Sequence, residues 1–224
     1  MKELAAYIDH TLLKPTITEE EVRQLCQEAR QYQFAAVCIP PSMVLSAKNL
    51  LQQTPVKTAT VIGFPFGYSV TEAKLAEIKD ALDHGADEVD TVINLIHLKA
   101  ANWLLLEQEM ITLVEFVHEK QKIIKVIIES GILTDREIID CCHVYGNLGI
   151  DYLKTSTGYA ERGVSLDAVR LIKKHLPSTV KVKASGGIRT YEFAIQLVEA
   201  GADRLGCSAS VSIIKGKSLT EKNH

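Results

Sequence analysis

The chain has 224 residues, of which 46% are hydrophobic and 24% charged, and its formal net charge is −3 at pH 7. This balance is typical of a globular protein and excludes a fibrous, disordered or membrane-embedded chain. With 25 basic against 28 acidic side chains and no basic stripe, nucleic acid is not an expected partner. We expect a single domain over residues 1–224, large enough to fold without a metal or a disulfide.

The cysteines and the N-terminus bear on location and on metal binding. Five cysteines without a CxxC pair predict neither a disulfide framework nor a zinc site, and no HExxH motif occurs. Glu3 and Asp9 interrupt the apolar stretch that a signal peptide would need, and Lys125 interrupts the apolar run IIKVII. These features predict a cytoplasmic protein that does not span a membrane.

Short apolar or β-branched runs recur along the whole chain. They cover residues 7–10, 35–39, 58–62, 88–93, 125–129, 151–154, 180–184 and 203–206. Continuous rather than alternating hydrophobicity is typical of parallel strands that are covered on both faces. We therefore predict eight parallel strands.

Amphipathic helical patterns, with apolar residues spaced three and four apart, separate these runs. Three capping-box pairs predict where helices begin. The pairs are Thr18 with Glu21, Ser69 with Glu72, and Thr134 with Glu137. Segments 85–87, 149–151 and 201–203 each read Gly-x-Asp between a helical pattern and a strand, where glycine can take the left-handed conformation that ends a helix.

The regular alternation of strand and helix predicts the fold. Eight strands without a Pro-, Gly- or Ser-rich linker favour one (β/α)8 TIM barrel. The alternative is a doubly wound open sheet, which normally carries a phosphate-binding fingerprint after its first strand. Neither GxGxxG nor GxxxxGK[ST] occurs, so we predict the barrel.

In such a barrel the active face lies at the carboxyl ends of the strands. Asp90, Glu129, Lys154 and Lys183 are the polar residues that end predicted strands. Strand alternation puts Lys181 and Lys183 on one face of VKVK, which is the barrel interior if the valines face the helices. Lys183 then lies toward the active face, close to Lys154 on the preceding strand.

Two lysines in one cleft suit Schiff-base chemistry. A desolvated amine beside another cation loses its proton more readily, as a nucleophilic amine requires. Asp90 is suited to stabilise a cationic Lys183 and to relay a proton. The alternatives are solvated lysines at strand ends and a carboxylate that caps a loop.

The last two strands end in clusters of small residues. Gly186 and Gly187 follow one strand, and Gly206 and Ser208 follow the other. Loops after strands seven and eight of barrels frequently bind phosphate through backbone N–H groups. A plain turn and a plain helix cap are the alternatives, but both clusters at the expected strands favour a phosphate site.

Three other residues at strand ends are weaker candidates. A single His10 is more often a structural residue than a substrate contact. Cys38 and Cys207 have no adjacent histidine to activate them, so we expect small buried hydrophobic residues rather than nucleophiles.

Several motifs together resemble a known family, the deoxyribose-phosphate aldolases, which are Schiff-base aldolases on a (β/α)8 barrel. The similar segments are DHTLLKP, AAVCIP, VIGFPFG, GADEVDTVIN, KVIIESGILT, DYLKTSTG, VKASGGIRT and GCSAS, in this order along nearly the whole chain. The resemblance implies reversible cleavage of 2-deoxy-D-ribose 5-phosphate to D-glyceraldehyde 3-phosphate and acetaldehyde, without a metal or organic cofactor.

The resemblance also implies residue roles. Lys154 matches the Schiff-base lysine, Lys183 the second lysine, and Asp90 the acidic partner in proton relay. The residues that match the phosphate-binding segments are Gly158, Gly186, Gly187, Gly206 and Ser208. Tyr159 departs from the family pattern, because some relatives carry a basic residue there.

Two alternative functions stay open at this stage. One is another Schiff-base phosphosugar lyase, because a fold alone does not fix its reaction. The other is a phosphosugar-binding protein without turnover, against which the intact lysine and aspartate set argues. The expected partners are small phosphosugars and aldehydes, and relatives suggest a homodimer or homotetramer.

Overall fold

A closed barrel of eight parallel strands forms the centre of the molecule. The computed structural model describes residues 3–220, so the predicted domain of 1–224 extends beyond this range at both ends. Each strand pairs with the next along the chain, and β8 pairs with β1. The strands are β1 Ile8–Thr11, β2 Ala36–Ile39, β3 Lys57–Ile62, β4 Glu88–Val92, β5 Ile123–Ile127, β6 Tyr152–Lys154, β7 Lys181–Ser185 and β8 Arg204–Cys207. The predicted TIM-barrel fold is confirmed.

Helices connect successive strands and surround the barrel. They are α1 Glu19–Tyr32, α2 Val44–Leu50, α3 Thr71–Asp83, α4 Leu95–Lys99, α5 Trp103–Glu119, α6 Asp135–Gly146, α7 Leu166–His175, α8 Tyr191–Glu199 and α9 Ser210–Thr220. Short 3-10 helices cover Leu4–Tyr7, Pro41–Met43 and Ser130–Ile132. Within residues 3–220, every helix is too short or too polar to cross a membrane.

The local signals in the sequence predict most boundaries correctly. All eight predicted strands lie within two residues of the observed bounds. Thr18 and Thr134 each form the predicted capping box at the start of α1 and α6. The box predicted at Ser69 is wrong, because α3 begins at Thr71 behind Val70, which leaves Ser69 one position too far from the first turn.

The repeated glycine joints have the conformation that the sequence predicts. Gly85, Gly149 and Gly201 have φ values of 98°, 79° and 112°, in the region that favours glycine. In each case the chain turns out of a helix and enters the next strand within three residues. These turns set where β4, β6 and β8 begin, and they therefore determine which residues lie at the carboxyl ends of these strands.

Most of the buried apolar side chains lie between the strands and the surrounding helices. Val182 and Leu205 are examples on neighbouring strands, and both are completely buried. A separate and much smaller apolar cluster is formed by β2 and β3. It contains Ala36, Cys38, Ala59 and Val61, with Leu13 and Phe64 packed against it.

Candidate active site

Asp90 on β4 accepts hydrogen bonds from three lysines inside the barrel. Its side chain is completely buried. Oδ1 accepts a hydrogen bond from Lys125 Nζ, and Oδ2 accepts one each from Lys154 Nζ and Lys183 Nζ, all at 2.7 Å. The structure therefore brings together all three predicted catalytic residues and adds Lys125 from β5.

Strand register places the two predicted lysines side by side. Lys154 on β6 is directly opposite Lys183 on β7. Val182 packs in the outer core, so Lys183 points inward and is completely buried. Lys181 lies at the other end of β7, where it is exposed and its Nζ is 5.4 Å from the centre of the Tyr152 ring. Only the upper lysine of VKVK therefore reaches Asp90.

Three more charged residues join this network and were not predicted to do so. Lys183 Nζ donates a hydrogen bond to Asp9, and Arg204 Nη1 lies 2.5 Å from the other oxygen of Asp9. Arg204 Nη2 also donates to Glu88, at 3.3 Å. Lys125, interpreted from the sequence only as an interruption of an apolar run, lies 2.6 Å from Glu88.

A signal for part of this network is present in the sequence. Glu88 and Asp90 are two residues apart on one strand, so alternation puts both on the same face. Lys125 pairs in register with Asp90 and thus shares that face. The contact between Asp9 and Arg204 joins residues 195 positions apart in sequence and depends on closure of the barrel between β8 and β1.

The three lysines around Asp90 differ in protonation. Burial lowers the pKa of Lys154, Asp90 opposes that effect, and the positive charge of Lys183 adds to it, so the pKa lies below its ordinary value. Burial also disfavours charge on Lys183, but Asp9 and Asp90 raise its pKa above the ordinary value. Lys125 is raised in the same way, by Asp90 and Glu88. Lys154 is thus the lysine best suited to be a neutral nucleophile.

Asp90 and Asp9 are held in their charged forms. Burial alone would raise the pKa of Asp90, but Lys125, Lys154 and Lys183 lower it well below the ordinary range. Burial likewise opposes ionisation of Asp9, and the charges of Lys183 and Arg204 nevertheless lower its pKa to about 2. One charged carboxylate, Asp90, therefore contacts the reactive amine, and the second, Asp9, contacts Lys183 beside it.

A cavity of about 310 Å³ opens above Lys154 at the carboxyl ends of the strands. Its walls include all five residues predicted to bind phosphate. They are Gly158, Gly186, Gly187, Gly206 and Ser208. A side chain at position 206 would come within 3.3 Å of Lys183 Cε, so glycine there also leaves room for the buried lysine. One pocket thus holds both the amine and the small-residue clusters.

Two cationic side chains at this pocket were not predicted. Lys14, in the loop after β1, and Arg189, in the loop after β7, both line the cavity and are exposed. Positive charge beside backbone N–H groups favours an anionic ligand. A lysine or arginine in a loop is usually solvated, which is why the sequence alone did not single them out.

Comparison with known proteins assigns this arrangement to a family. A model of the DeoC/LacD family aldolases matches residues 4–215. The chain belongs to this family. The deoxyribose-phosphate aldolase of Desulfitobacterium hafniense (strain DSM 10664 / DCB-2) is 49% identical over 211 residues, which cover 94% of this chain and 97% of the relative. That of Treponema denticola is 42% identical over 215 residues, covering 96% and 100%.

Solved structures agree with this assignment. The deoxyribose phosphate aldolase from Aeropyrum pernix, described as having a unique tetrameric structure, superposes with a TM-score of 0.90 at 35% identity. The match covers 96% of this chain and 92% of that one. The shared fold therefore extends over almost the entire length of this aldolase-family chain.

Glu129 supports the loop that carries the aldolase-family motif KTSTG. Its carboxylate accepts hydrogen bonds from the backbone N–H of Thr157, at 3.2 Å, and from the Thr157 hydroxyl. The backbone N–H of Tyr159 then donates to the Thr157 hydroxyl at 3.0 Å, and the Tyr159 hydroxyl donates to the Leu13 carbonyl at 2.9 Å. This chain of bonds ties the loop after β6 to the loop after β1 across the pocket.

The weaker candidates have other environments. His10 bonds Ser210 through Nδ1, at 3.0 Å, and Glu28 through Nε2, at 2.7 Å, as expected of a structural histidine. Burial raises the pKa of the Cys38 thiol, and it raises that of Cys207 to about 12, so neither is a ready thiolate. Within residues 3–220, no group of three or more His, Cys, Asp or Glu side chains is arranged to hold a metal ion.

Proposed function

We propose that this chain is a deoxyribose-phosphate aldolase, which cleaves 2-deoxy-D-ribose 5-phosphate reversibly to D-glyceraldehyde 3-phosphate and acetaldehyde through a Schiff base on Lys154. The observation that carries the proposal is the placement of Lys154. Its amine is buried at a phosphate-type pocket, bonded to Asp90 and beside the cationic Lys183. The names of the family relatives support the substrate.

The first step is addition of the Lys154 amine to C1 of the open-chain sugar. Its lowered pKa provides the unprotonated form, since only the neutral amine has a lone pair to donate. Transfer of a proton to the hydroxyl of the adduct and loss of that hydroxyl as water give an iminium ion. Its positive charge is stabilised by the carboxylate of Asp90, which is 2.7 Å from the free amine. The iminium nitrogen then serves as the electron acceptor for the next step.

The second step breaks the bond between C2 and C3. A base removes the proton of the C3 hydroxyl, the C2–C3 electron pair moves to the iminium, and glyceraldehyde 3-phosphate leaves as an enamine forms. Protonation of the enamine at C2, followed by hydrolysis, releases acetaldehyde and restores the lysine. Asp90 and Lys183, which are in direct hydrogen-bond contact, form the proton relay of these steps.

The substrate phosphate is assigned to the other end of the pocket. Gly158, Gly186, Gly187, Gly206 and Ser208 would bind it, mainly through backbone N–H groups, and Lys14 and Arg189 would add positive charge. Binding of the phosphate fixes the distance between C1 of the sugar and the Lys154 amine, so that the addition proceeds as an effectively unimolecular, oriented reaction.

The wider assignments follow from this function. We assign residues 1–224 to one catalytic domain that acts as a homodimer or homotetramer on small phosphosugars and aldehydes. The five cysteines, all free and buried, fit a reducing cytoplasm, where nucleoside-derived sugars are degraded. Neither nucleic acid nor a membrane surface is assigned as a partner.

The test is to trap the covalent intermediate. The protein is incubated with 2-deoxyribose 5-phosphate, reduced with borohydride and mapped by peptide mass spectrometry, while a coupled assay follows glyceraldehyde 3-phosphate. We expect an adduct on Lys154 together with turnover. The variant Lys154→Met should lose both, whereas Lys181→Met, a change to an exposed lysine at the far end of β7, should retain both.

Other outcomes select other functions. An adduct on Lys183 alone would reverse the two lysine roles. Binding of the phosphosugar without adduct or product would indicate a binding protein. Adducts with different phosphosugars but no acetaldehyde would indicate another Schiff-base lyase.

A further inference from the structure

Six charged side chains next to Lys154 form a closed ring of alternating sign in the barrel. In order around the ring they are Asp90, Lys183, Asp9, Arg204, Glu88 and Lys125. Five of them are buried with at most 1% of their surface exposed, and the Arg204 side chain is 12% exposed. Each member contacts the next, so the last one, Lys125, returns to Asp90.

The part of the ring formed by Asp90, Lys183 and Asp9, here called the upper arc, lies beside the reactive amine. Lys183 donates hydrogen bonds to Asp90, at 2.7 Å, and to Asp9. The rest of the ring, formed by Arg204, Glu88 and Lys125 and here called the lower arc, closes the ring away from the pocket. Arg204 contacts Asp9 at 2.5 Å and Glu88 at 3.3 Å. Neither Arg204 nor Glu88 lines the substrate pocket.

Lys125 completes the lower arc. Its Nζ is 2.6 Å from Glu88 Oε2, in an ion pair outside hydrogen-bond alignment, and donates a hydrogen bond to Asp90 Oδ1 at 2.7 Å. The ring therefore contains three carboxylates and three cations, and its formal charge is zero. Lys154 is hydrogen-bonded to Asp90 as a fourth basic side chain, for which the ring has no further carboxylate.

Of the three lysines that share Asp90, two also contact a second carboxylate and one does not. Lys183 also contacts Asp9, and Lys125 also contacts Glu88. Lys154, by contrast, forms an ion pair with Asp90 and with no other carboxylate among residues 3–220. When four buried cations share three carboxylates, the least compensated cation loses its proton most easily.

We propose that Glu88 and Arg204 are positioning residues of the aldolase, which keep the ring electrically neutral so that Lys154 has no counter-ion of its own and remains a neutral amine. The inference rests on the proposed function, because it explains how the nucleophile of that reaction is prepared. It extends the site to two residues that do not contact the pocket.

The directions of the pKa shifts agree with this assignment. Burial lowers the pKa of Lys154, whereas the pKa values of Lys125 and Lys183 are raised despite equal burial. Two further groups face Lys154 from other strands. Burial raises the pKa of Cys38 on β2, which keeps it uncharged, and burial raises that of Glu129 after β5, whose carboxylate is bonded to Thr157.

The proposal predicts shifts of opposite sign from two substitutions. Glu88→Gln removes a negative charge, so the pKa of Lys154 should fall by about one unit. Arg204→Gln removes a positive charge, so the pKa of Lys154 should rise by about one unit. At a pH below that pKa, the fraction of Lys154 that is neutral then falls about tenfold. A purely structural role would change activity without shifts of opposite sign.

The pKa of Lys154 can be measured without turnover. Lys154 lines the pocket, so its labelling by acetic anhydride can be followed by peptide mass spectrometry over a series of pH values. The pH profile of kcat/KM gives a second value for the free enzyme. If the wild-type protein does not cleave the sugar, the proposed function fails while the labelling still tests the ring.

Two charge-balanced variants serve as controls. Arg204→Lys keeps the positive charge, and the double variant Glu88→Gln/Arg204→Gln removes one charge of each sign. Both should retain the wild-type pKa of Lys154, and circular dichroism should show the barrel intact. If the single variants do not fold, these two still carry the test, since a shifted pKa in either overturns the proposal. Single variants that fold and show no shift, or shifts of one sign, also overturn it.

Discussion

The two sides of the barrel interior have opposite chemistry. On the side formed by β2 and β3, the inner cluster is small and apolar, and Val61 is representative of it. The remaining side carries the ion-pair network around Asp90. Asp90 marks the boundary, since its register partners are Val61 on one neighbouring strand and Lys125 on the other.

The difference shows how one barrel provides both desolvation and charge. Apolar walls exclude water, so nearby charges interact more strongly than they would in solvent. Burial itself disfavours the charged form of Lys154 and lowers its pKa, and the charge of Lys183 adds to this shift, which is the property that Schiff-base formation needs. Buried ion pairs add little net stability, because desolvation offsets their attraction. The outer core between strands and helices therefore supplies most of the stability, and the charged side of the interior supplies the chemistry.

Of the substitutions that compare the two sides of the interior, Asp90→Asn should have the largest effect. It removes the charge that three lysines share, and unpaired buried cations should lower the free energy of unfolding by about 3–5 kcal/mol. Loss of the proton relay and of iminium stabilisation should reduce kcat by about 10²–10⁴. Urea unfolding and the coupled assay for glyceraldehyde 3-phosphate measure the two effects.

An exposed aspartate provides the control for this substitution. Asp167 on α7 pairs with Arg170 at 3.3 Å, and its side chain is 95% exposed. Asp167→Asn should change the free energy of unfolding by less than about 1 kcal/mol and leave kcat unchanged. If Asp90→Asn kept most of its activity, the charged side of the interior would have no role in the chemistry.

Val61→Ala tests the apolar side and should mainly affect stability. The smaller side chain leaves a cavity next to Asp90, so the free energy of unfolding should fall by about 1–3 kcal/mol. Every charge keeps its partner, and kcat should therefore fall by less than about tenfold. The measurements are those used for Asp90→Asn.

Val182→Ala is the matched control, because Val182 is also buried but faces the helices. It should cost similar stability without any change in the pH profile of kcat/KM. A loss of activity in Val61→Ala as large as in Asp90→Asn would contradict the division of the interior into two functional sides.

The sequence predicts the two sides unequally. The apolar runs and the glycine joints fix the strands, and the polar residues within these runs identify Asp90, Lys154 and Lys183. Of these three, only Lys154 is at the end of its strand as expected, because β4 and β7 continue for two residues beyond Asp90 and Lys183. Glu88 and Arg204 lie near the beginnings of their strands, where a charged residue ordinarily faces solvent. Alternation puts Glu88 on the same face as Asp90, whereas the contacts of Arg204 with Asp9 and Glu88 depend on closure of the barrel between β8 and β1.

Tyr159→Phe should have the smallest effect, because Tyr159 only joins the two sides at the pocket rim. Its ring is 5.3 Å from that of Phe64, edge to face, and its hydroxyl bonds Leu13. Both partners pack on the apolar cluster, whereas Tyr159 belongs to the loop that follows Lys154. Phenylalanine keeps the ring contact and removes one hydrogen bond of a half-exposed side chain, worth about 0.5–1.5 kcal/mol.

The looser loop should raise KM for the phosphosugar by about two- to tenfold at this energy, while kcat stays the same because the charges around Lys154 are untouched. Steady-state kinetics separate the two constants, and a fall in kcat with KM unchanged would mean that the tyrosine hydroxyl takes part in the chemistry instead of shaping the pocket.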